Sequence, residues 1–217
     1  MYYDDKLRFT NGALDINTMD FTPRNNTYAA LSYEYNPFIN MSRFEQIMNA
    51  IIPNKNQRYI LYTYLMDSMC SKNRTNNLHI PLLKNINILI KLIVSTIGKY
   101  IHEIDTKLIN NLDKNYANQR IKELKKIKNK KICILQYHDE IKPHDAFRTA
   151  INYNRNINID INTHISLNCN LIIVSNTKES CGIYIDINDD KLCLLNTYTD
   201  NEIHNLFMNL LIKYYPE

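Results

Sequence analysis

Three glycines in 217 residues, Gly12, Gly98 and Gly182, constrain this chain more than any residue it has in abundance. A loop that closes its backbone N–H groups around a phosphate is rich in glycine, because only bare backbone can approach so closely. It also carries a Lys to reach the outer phosphates. After the strand-like Asn77–Ile80 the chain runs Pro81-Leu-Leu-Lys-Asn-Ile-Asn-Ile-Leu89, with no glycine and with Lys84 as the one cation of that stretch. A cradle of that kind cannot form there.

The length of 217 residues and mass of 25.7 kDa suit one good-sized domain, or a domain with a small extension. An apolar content of 45% is ample for a core. Asn, Ile, Lys and Tyr dominate, a bias expected of an AT-rich genome, which points to a large DNA virus, a selfish plasmid or an AT-rich microbe. The net charge of +4 and pI near 8.7 allow a nucleic-acid partner without requiring one. Five cysteines (Cys70, Cys133, Cys169, Cys181, Cys193) form no CxxC pair. Their odd count and the polar start Met1-Tyr-Tyr-Asp-Asp5 predict reduced thiols in the cytoplasm or nucleus of an infected cell, or within a virus particle, and no secretion. The most apolar stretch, Leu82–Ile97, is broken by Lys84, Asn85, Asn87 and Lys91, so no membrane span is expected.

Leu7–Ile16 alternates apolar residues on both sides of Asn11-Gly12, the pattern of a β-hairpin whose turn uses positive φ angles. Ser42-Arg-Phe-Glu45 reads as a capping box opening a helix that stops near Pro53. A second helix is predicted from Asn56 to about Cys70, with Tyr59, Tyr62, Leu65 and Met66 as its core face. A short strand near Leu78 then precedes a long apolar helix to about Ile101. A basic helix follows at about 116–129, and Lys131–Gln136 suits a buried strand. His144–Ile151 should be helical, Ile157–Ser166 extended and Leu171–Ser175 a second buried strand. Ile183–Ile187 and Lys191–Leu195 are expected to form a hairpin around Asn188-Asp189-Asp190. Thr199-Asp-Asn-Glu202 is a second capping box, opening a last helix to about Tyr214. Such alternation argues for an α/β sheet.

Several of these segments resemble the superfamily 3 helicase ATPase of phage, plasmid and poxvirus primase–helicases. Leu7–Phe21 resembles the segment that leads into that ATPase. Phe44–Pro53 followed by Gln57–Leu65 resembles its helical pair before the phosphate-loop strand. Leu124–Leu135 is similar to the lead into Walker B, and Leu171-Ile-Ile-Val-Ser-Asn176 looks like motif C, a strand ending in a sensor Asn. The resemblance covers about residues 7–180, and order and spacing carry it rather than any one motif. It implies a P-loop NTPase-like sheet flanked by helices over residues 73–217, behind an N-terminal hairpin and helical lead-in over 1–72.

The departures bear on function. The Walker A Lys would fall within Ile86–Leu89, where there is no Lys, and no Ser or Thr follows to hold Mg²⁺. The first Walker B acid is replaced by Tyr137, leaving Asp139, Glu140 and Asn176 as relic positions, and no Arg lies beyond Arg155 to serve as an arginine finger. Phosphoryl transfer rests on cradle, metal and arginine electrostatics. The expectation is therefore a non-catalytic, helicase-derived accessory or structural protein with no cofactor, no metal and no catalytic residues. Leu82, Leu83, Ile86 and Ile88 should pack as core. The alternative is a divergent but active ATPase subunit of a viral replication complex.

Other constellations are weaker. Tyr137–Asp145 holds two His and three acids but lacks converging ligand spacing, so a solvated loop accounts for it. Cys133 lies within an apolar run, where a thiol is inert packing. The strongest charge feature is the basic helix, with Ile121, Leu124 and Ile127 on its inner side. Its outer residues Arg120, Lys122, Lys125, Lys126, Lys128, Lys130 and Lys131 are the candidate nucleic-acid contacts, independent of base sequence. The same residues also fit a plain solvated face or an acidic partner. Asn152–Asn156 with His164 falls where the family's DNA-contacting hairpin would be. Self-association or docking on a viral protein is the other expectation, because such ATPases assemble as rings.

Overall fold

The computed structural model describes residues 6–24, 29–70, 76–104, 122–123, 125–127, 130–136, 156–160, 163–166, 169–176 and 182–215. The chain falls into two compact units. The first comprises residues 1–72, 83–100 and 185–217, and the second comprises 73–82 and 101–184.

The first unit opens with an antiparallel three-stranded sheet, β1 (Lys6–Phe9), β2 (Gly12–Asp15) and β3 (Phe21–Pro23), in that order. The predicted hairpin is present, but its turn differs from the expected one. Phe9 pairs with Gly12, so Thr10 and Asn11 make the turn, and among the described residues only Met19 and Gly98 have positive φ. Gly12 is required for closeness instead. A Cβ there would lie 2.5 Å from both the Phe21 ring and the Thr22 carbonyl oxygen. Asn11 uses its amide as a strand partner, accepting from Tyr35 N–H at 2.9 Å and donating to Tyr35 O at 3.0 Å. Phe9 stacks on the Tyr35 ring at 4.8 Å.

Helix α1 (Ser42–Ile51) starts without the predicted capping box. Met41 is the N-cap, Asn40 Oδ1 accepts the Ser42 N–H at 3.0 Å, and Glu45 turns away to Lys213 Nζ at 2.9 Å. An ammonium partner outcompetes the uncharged N–H that the box would offer. Helix α2 (Lys55–Met69) is capped by Asn54, whose side chain accepts from the N–H groups of Asn56 and Gln57. Tyr62, Leu65 and Met66 are buried as expected, whereas Tyr59 is 44% exposed.

Helix α3 (Ile86–Ile97) ends at Gly98, which has φ +60°; a Cβ there would also lie 2.7 Å from Ala30 O. Helix α4 (Asp200–Lys213) begins at the second capping box, where the Glu202 carboxylate accepts the Thr199 N–H at 3.3 Å. The hairpin expected over 183–195 is absent. Asp189–Thr197 forms a 3-10 helix, in which Leu192 and Leu195, three apart, lie on one side and are buried.

The second unit contains β4 (Asn77–Ile80), β5 (Ile101–Ile104), β6 (Ile132–Gln136), an antiparallel pair β7 (Asn156–Asp160) and β8 (Thr163–Ser166), then β9 (Asn170–Val174) and β10 (Gly182–Tyr184). Apart from β7 and β8 these strands form one all-parallel sheet in the order β10-β4-β9-β6-β5. The α/β expectation therefore holds for the fold class. Strands β6 and β9 are apolar apart from Gln136 and Asn170 at their ends, as a parallel sheet buried on both faces requires, whereas β4 carries the buried His79. Strand β5 was not expected, because the predicted helix reached about Ile101, the first residue of that strand. Gly98 stops that helix, and Ile101-His-Glu-Ile104 is too short and mixed to announce a strand.

Among the described residues no helix is long and apolar enough to cross a membrane. The expected helix at His144–Ile151 lies outside the described residues, as do positions 116–121.

Candidate functional site

An open parallel sheet offers a ligand crevice beyond the carboxyl ends of its strands, at the point where the chain's course reverses. Here that point lies between β4 and β9. From β4 the chain passes to β5 at one edge, and from β9 it passes across to β10 at the other. Pro81 and Leu82 follow β4, while Ser175 and Asn176 follow β9. The ladder continues beyond the strands: Ser175 N–H donates to Ile80 O at 3.1 Å, and Leu82 N–H donates to Ser175 O at 3.3 Å. These two amides are the kind of donor that would otherwise point at a bound anion.

Ser175 is buried and Asn176, the second residue past β9, is exposed. Asp139 and Glu140, with Tyr137, lie outside the described residues. The four apolar residues expected to fill the core divide. Ile86 is 1% exposed, whereas Leu82, Leu83 and Ile88 are half-exposed. They follow a strand end or sit in a first helical turn, where one side of the backbone still faces water.

In the first unit, the start of α3 has its own anion. Asn85 N–H donates to Asp189 Oδ1 at 2.9 Å, and Asn85 Nδ2 donates to Asp189 Oδ2 at 3.3 Å. Helix N-termini attract anions through exposed N–H groups and the macrodipole, so a carboxylate fits where a phosphate otherwise would. Neighbouring donors are also engaged: Ile86 N–H reaches Leu83 O at 3.3 Å, and Ile88 N–H reaches Asn85 O at 3.0 Å. In sequence Asp189 suits a hairpin turn. The missed signal is that α3 opens with no acid in its first turn and no capping side chain of its own.

The basic segment is partly described. Lys122, Lys125 and Lys126 are exposed, Lys130 and Lys131 are half-exposed, and Arg120 and Lys128 lie outside the described residues. Lys126 is more than a solvated charge. Its Nζ lies 2.8 Å from Glu123 Oε2, and Glu123 Oε1 lies 2.8 Å from His102 Nε2 on β5. The Glu123 side chain is only 8% exposed, so it occupies the inner side together with Ile127. Asn152–Arg155 lies outside the described residues, as does the His164 side chain.

Among the described residues no group of three His, Cys, Asp or Glu is placed to hold a metal ion. No disulfide joins Cys70, Cys133, Cys169 and Cys193. A hydrogen bond with Cys169, then burial, pushes the Cys133 thiol well above its usual range, which suits inert packing. No protein-family model matches this chain, and no curated protein sequence matches it.

Proposed function

We propose that this chain is a non-catalytic protein descended from a superfamily 3 helicase ATPase, an accessory or structural component of a virus or plasmid. Its work is binding, of a protein partner or of nucleic acid, rather than phosphoryl transfer. The observation that carries the reading is the Asp189 carboxylate on Asn85 N–H at 2.9 Å. It stands at the start of the helix that follows β4, where an ATPase of that family would hold phosphate. A carboxylate there repels a phosphate instead of cradling it, and the segment supplies neither glycine nor a Walker Lys in compensation.

Sheet order supports the descent. Strand β9, which leads to Asn176, lies between β4 and β6. A sensor Asn must stand between the strand that leads into the phosphate loop and the strand that leads into the metal acids.

Calorimetry with Mg-ATP tests the reading, and no binding heat is expected. Micromolar affinity or hydrolysis would establish the divergent ATPase instead. Exposed Lys122, Lys125 and Lys126 favour nucleic acid as one binding target. Low-salt fluorescence titration should show weak binding, indifferent to base composition and steeply weakened by salt. Lys122→Glu with Lys125→Glu should lower the log–log salt slope for duplex DNA by about 2, while leaving the Lys126–Glu123 pair in place. No binding at low salt would leave protein docking as the sole function.

A further inference from the structure

A cavity of about 460 Å³ opens in the first unit between α3, the 3-10 helix and the start of α4. Its size lies within the range of small-molecule sites, about 300–1,000 Å³. The floor is apolar, formed by the buried side chains of Leu92, Leu195 and Ile203. On the α3 side Ser95 is already spent within its own helix, donating from Oγ to Leu92 O at 3.1 Å.

Other polar groups around that floor are not spent. Exposed Lys91 on α3 and exposed Asp200 on α4 both line the cavity, one from each helix. Among the described residues neither side chain makes a hydrogen bond or an ion pair, with the other or with a third group. The side-chain amide of Asn196 has no partner among the described residues either. Half-exposed His204 lies one turn beyond Asp200, its ring 5.3 Å from that of Tyr33. Burial holds its imidazole below the usual value, so it is neutral near pH 7. The cavity thus presents one fixed charge of each sign above an apolar floor.

We propose that this cavity binds a free α-amino acid with an apolar side chain. The unpaired charges select that class. A purely anionic ligand is attracted by Lys91 and repelled by Asp200, and a purely cationic one the reverse, so the two effects offset each other. A zwitterion gains from both, its carboxylate accepting from the Lys91 ammonium and its own ammonium donating to the Asp200 carboxylate. The flexible stem of Lys91 lets the cation adapt to the short spacing between the two ligand charges. The Asn196 amide adds a donor and an acceptor for whichever ligand oxygen or N–H is left over. With its charged end held at the rim, the ligand lays its side chain on Leu92, Leu195 and Ile203, where lost water contact favours a Leu- or Phe-sized group over a small one. The proposal does not rest on whether the chain binds nucleotide or nucleic acid.

Ligand-observed NMR titration of the full chain tests it, with L-leucine and L-phenylalanine as probes. Saturable binding is expected with a Kd of about 0.1–1 mM, the range open to a ligand of roughly ten heavy atoms at a site with an exposed rim. Glycine should bind at least about tenfold more weakly, because it buries no side chain. Two analogues of leucine separate the charges: leucinol lacks the carboxylate, and 4-methylpentanoate lacks the ammonium. Each should bind about tenfold more weakly than leucine. Lys91→Gln should weaken leucine about tenfold and should not weaken leucinol, whereas Asp200→Asn should weaken leucine about tenfold and should not weaken 4-methylpentanoate. Both side chains are exposed, so circular dichroism should show both variants folded. No saturable binding of either amino acid at 10-fold above the expected range would overturn the proposal. So would equal affinity for leucine and its two analogues, or leucine binding that neither substitution changes.

Discussion

The parallel sheet of the second unit and the helical first unit are held together by different means. In the sheet, Ile132, Ile134 and Leu135 of β6 and Ile172, Ile173 and Val174 of β9 are nearly or fully buried, and backbone ladders supply the polar pairing. In the first unit, side-chain amides and carboxylates tie together segments far apart in sequence. Gln57 exchanges hydrogen bonds with Asp186 at 2.8 and 3.1 Å, Asn85 binds Asp189, and Asn205 and Asn209 bind the 34–36 backbone. The asparagine-rich composition thus has a structural use, because one Asn amide can act as donor and acceptor to a passing strand. The contrast teaches that the sheet should be sensitive to lost volume, and the first unit to lost polar geometry and backbone freedom.

The largest expected effect tests the sheet. Ile172→Ala in β9 should cost about 2–5 kcal/mol in urea unfolding, the lost transfer energy plus the cavity left between β4 and β6. A cost below about 1 kcal/mol would mean that the sheet repacks, and the contrast would fail. Next comes Gly98→Ala in the first unit. Positive φ and the nearby Ala30 carbonyl together predict a loss of about 1–3 kcal/mol. The same change at a helix end without positive φ should be neutral or stabilising, so a stabilised Gly98→Ala would show that the segment can rearrange.

Asp189→Ala should cost about 1–2 kcal/mol, because the part-buried N–H and side-chain amide of Asn85, the N-cap of α3, lose their acceptor. Nucleotide affinity appearing in this variant would show that the carboxylate alone excludes phosphate. The expected result is destabilisation without binding, because the segment still lacks glycine and a Walker Lys.

How legible each part was follows the same division. The β1–β2 hairpin, α2, the strands β6 and β9 and the Thr199–Glu202 box were readable because their signals lie within a few residues. The position of Asn176 just past β9 was readable for the same reason. The Asp189 cap was not, because it acts on a residue 104 positions away. Glu45 escaped for a like reason, its partner lying 168 positions on. The backbone bonds between Leu82, Ser175 and Ile80 have no residue signature at all, since any amide and carbonyl can make them. Strand β5 was lost because four residues carry too little period to oppose a helical run.

The smallest expected effect concerns Glu45, and its sign can be worked out. Hydrogen bonds from Lys213 and then Tyr214 hold its carboxyl below the usual range. Depression means that the folded state favours the charged form. The stabilisation is therefore present above the ordinary carboxylate value and is lost as pH falls through the lowered folded value. Glu45 is half-exposed, and Lys213 Nζ approaches both carboxylate oxygens at 2.9 and 3.1 Å from a mostly solvated position. Water and salt screen such a pair, so Glu45→Gln should cost only about 0.5 kcal/mol at neutral pH and low ionic strength. The difference between wild type and variant should shrink with added salt and disappear in acid. A difference that persisted with the carboxylate protonated would place the effect in packing of the Tyr214 ring, which lies 5.4 Å from Tyr62. The polar ties of the first unit would then depend on burial, as the sheet does, and the contrast between the two units would narrow.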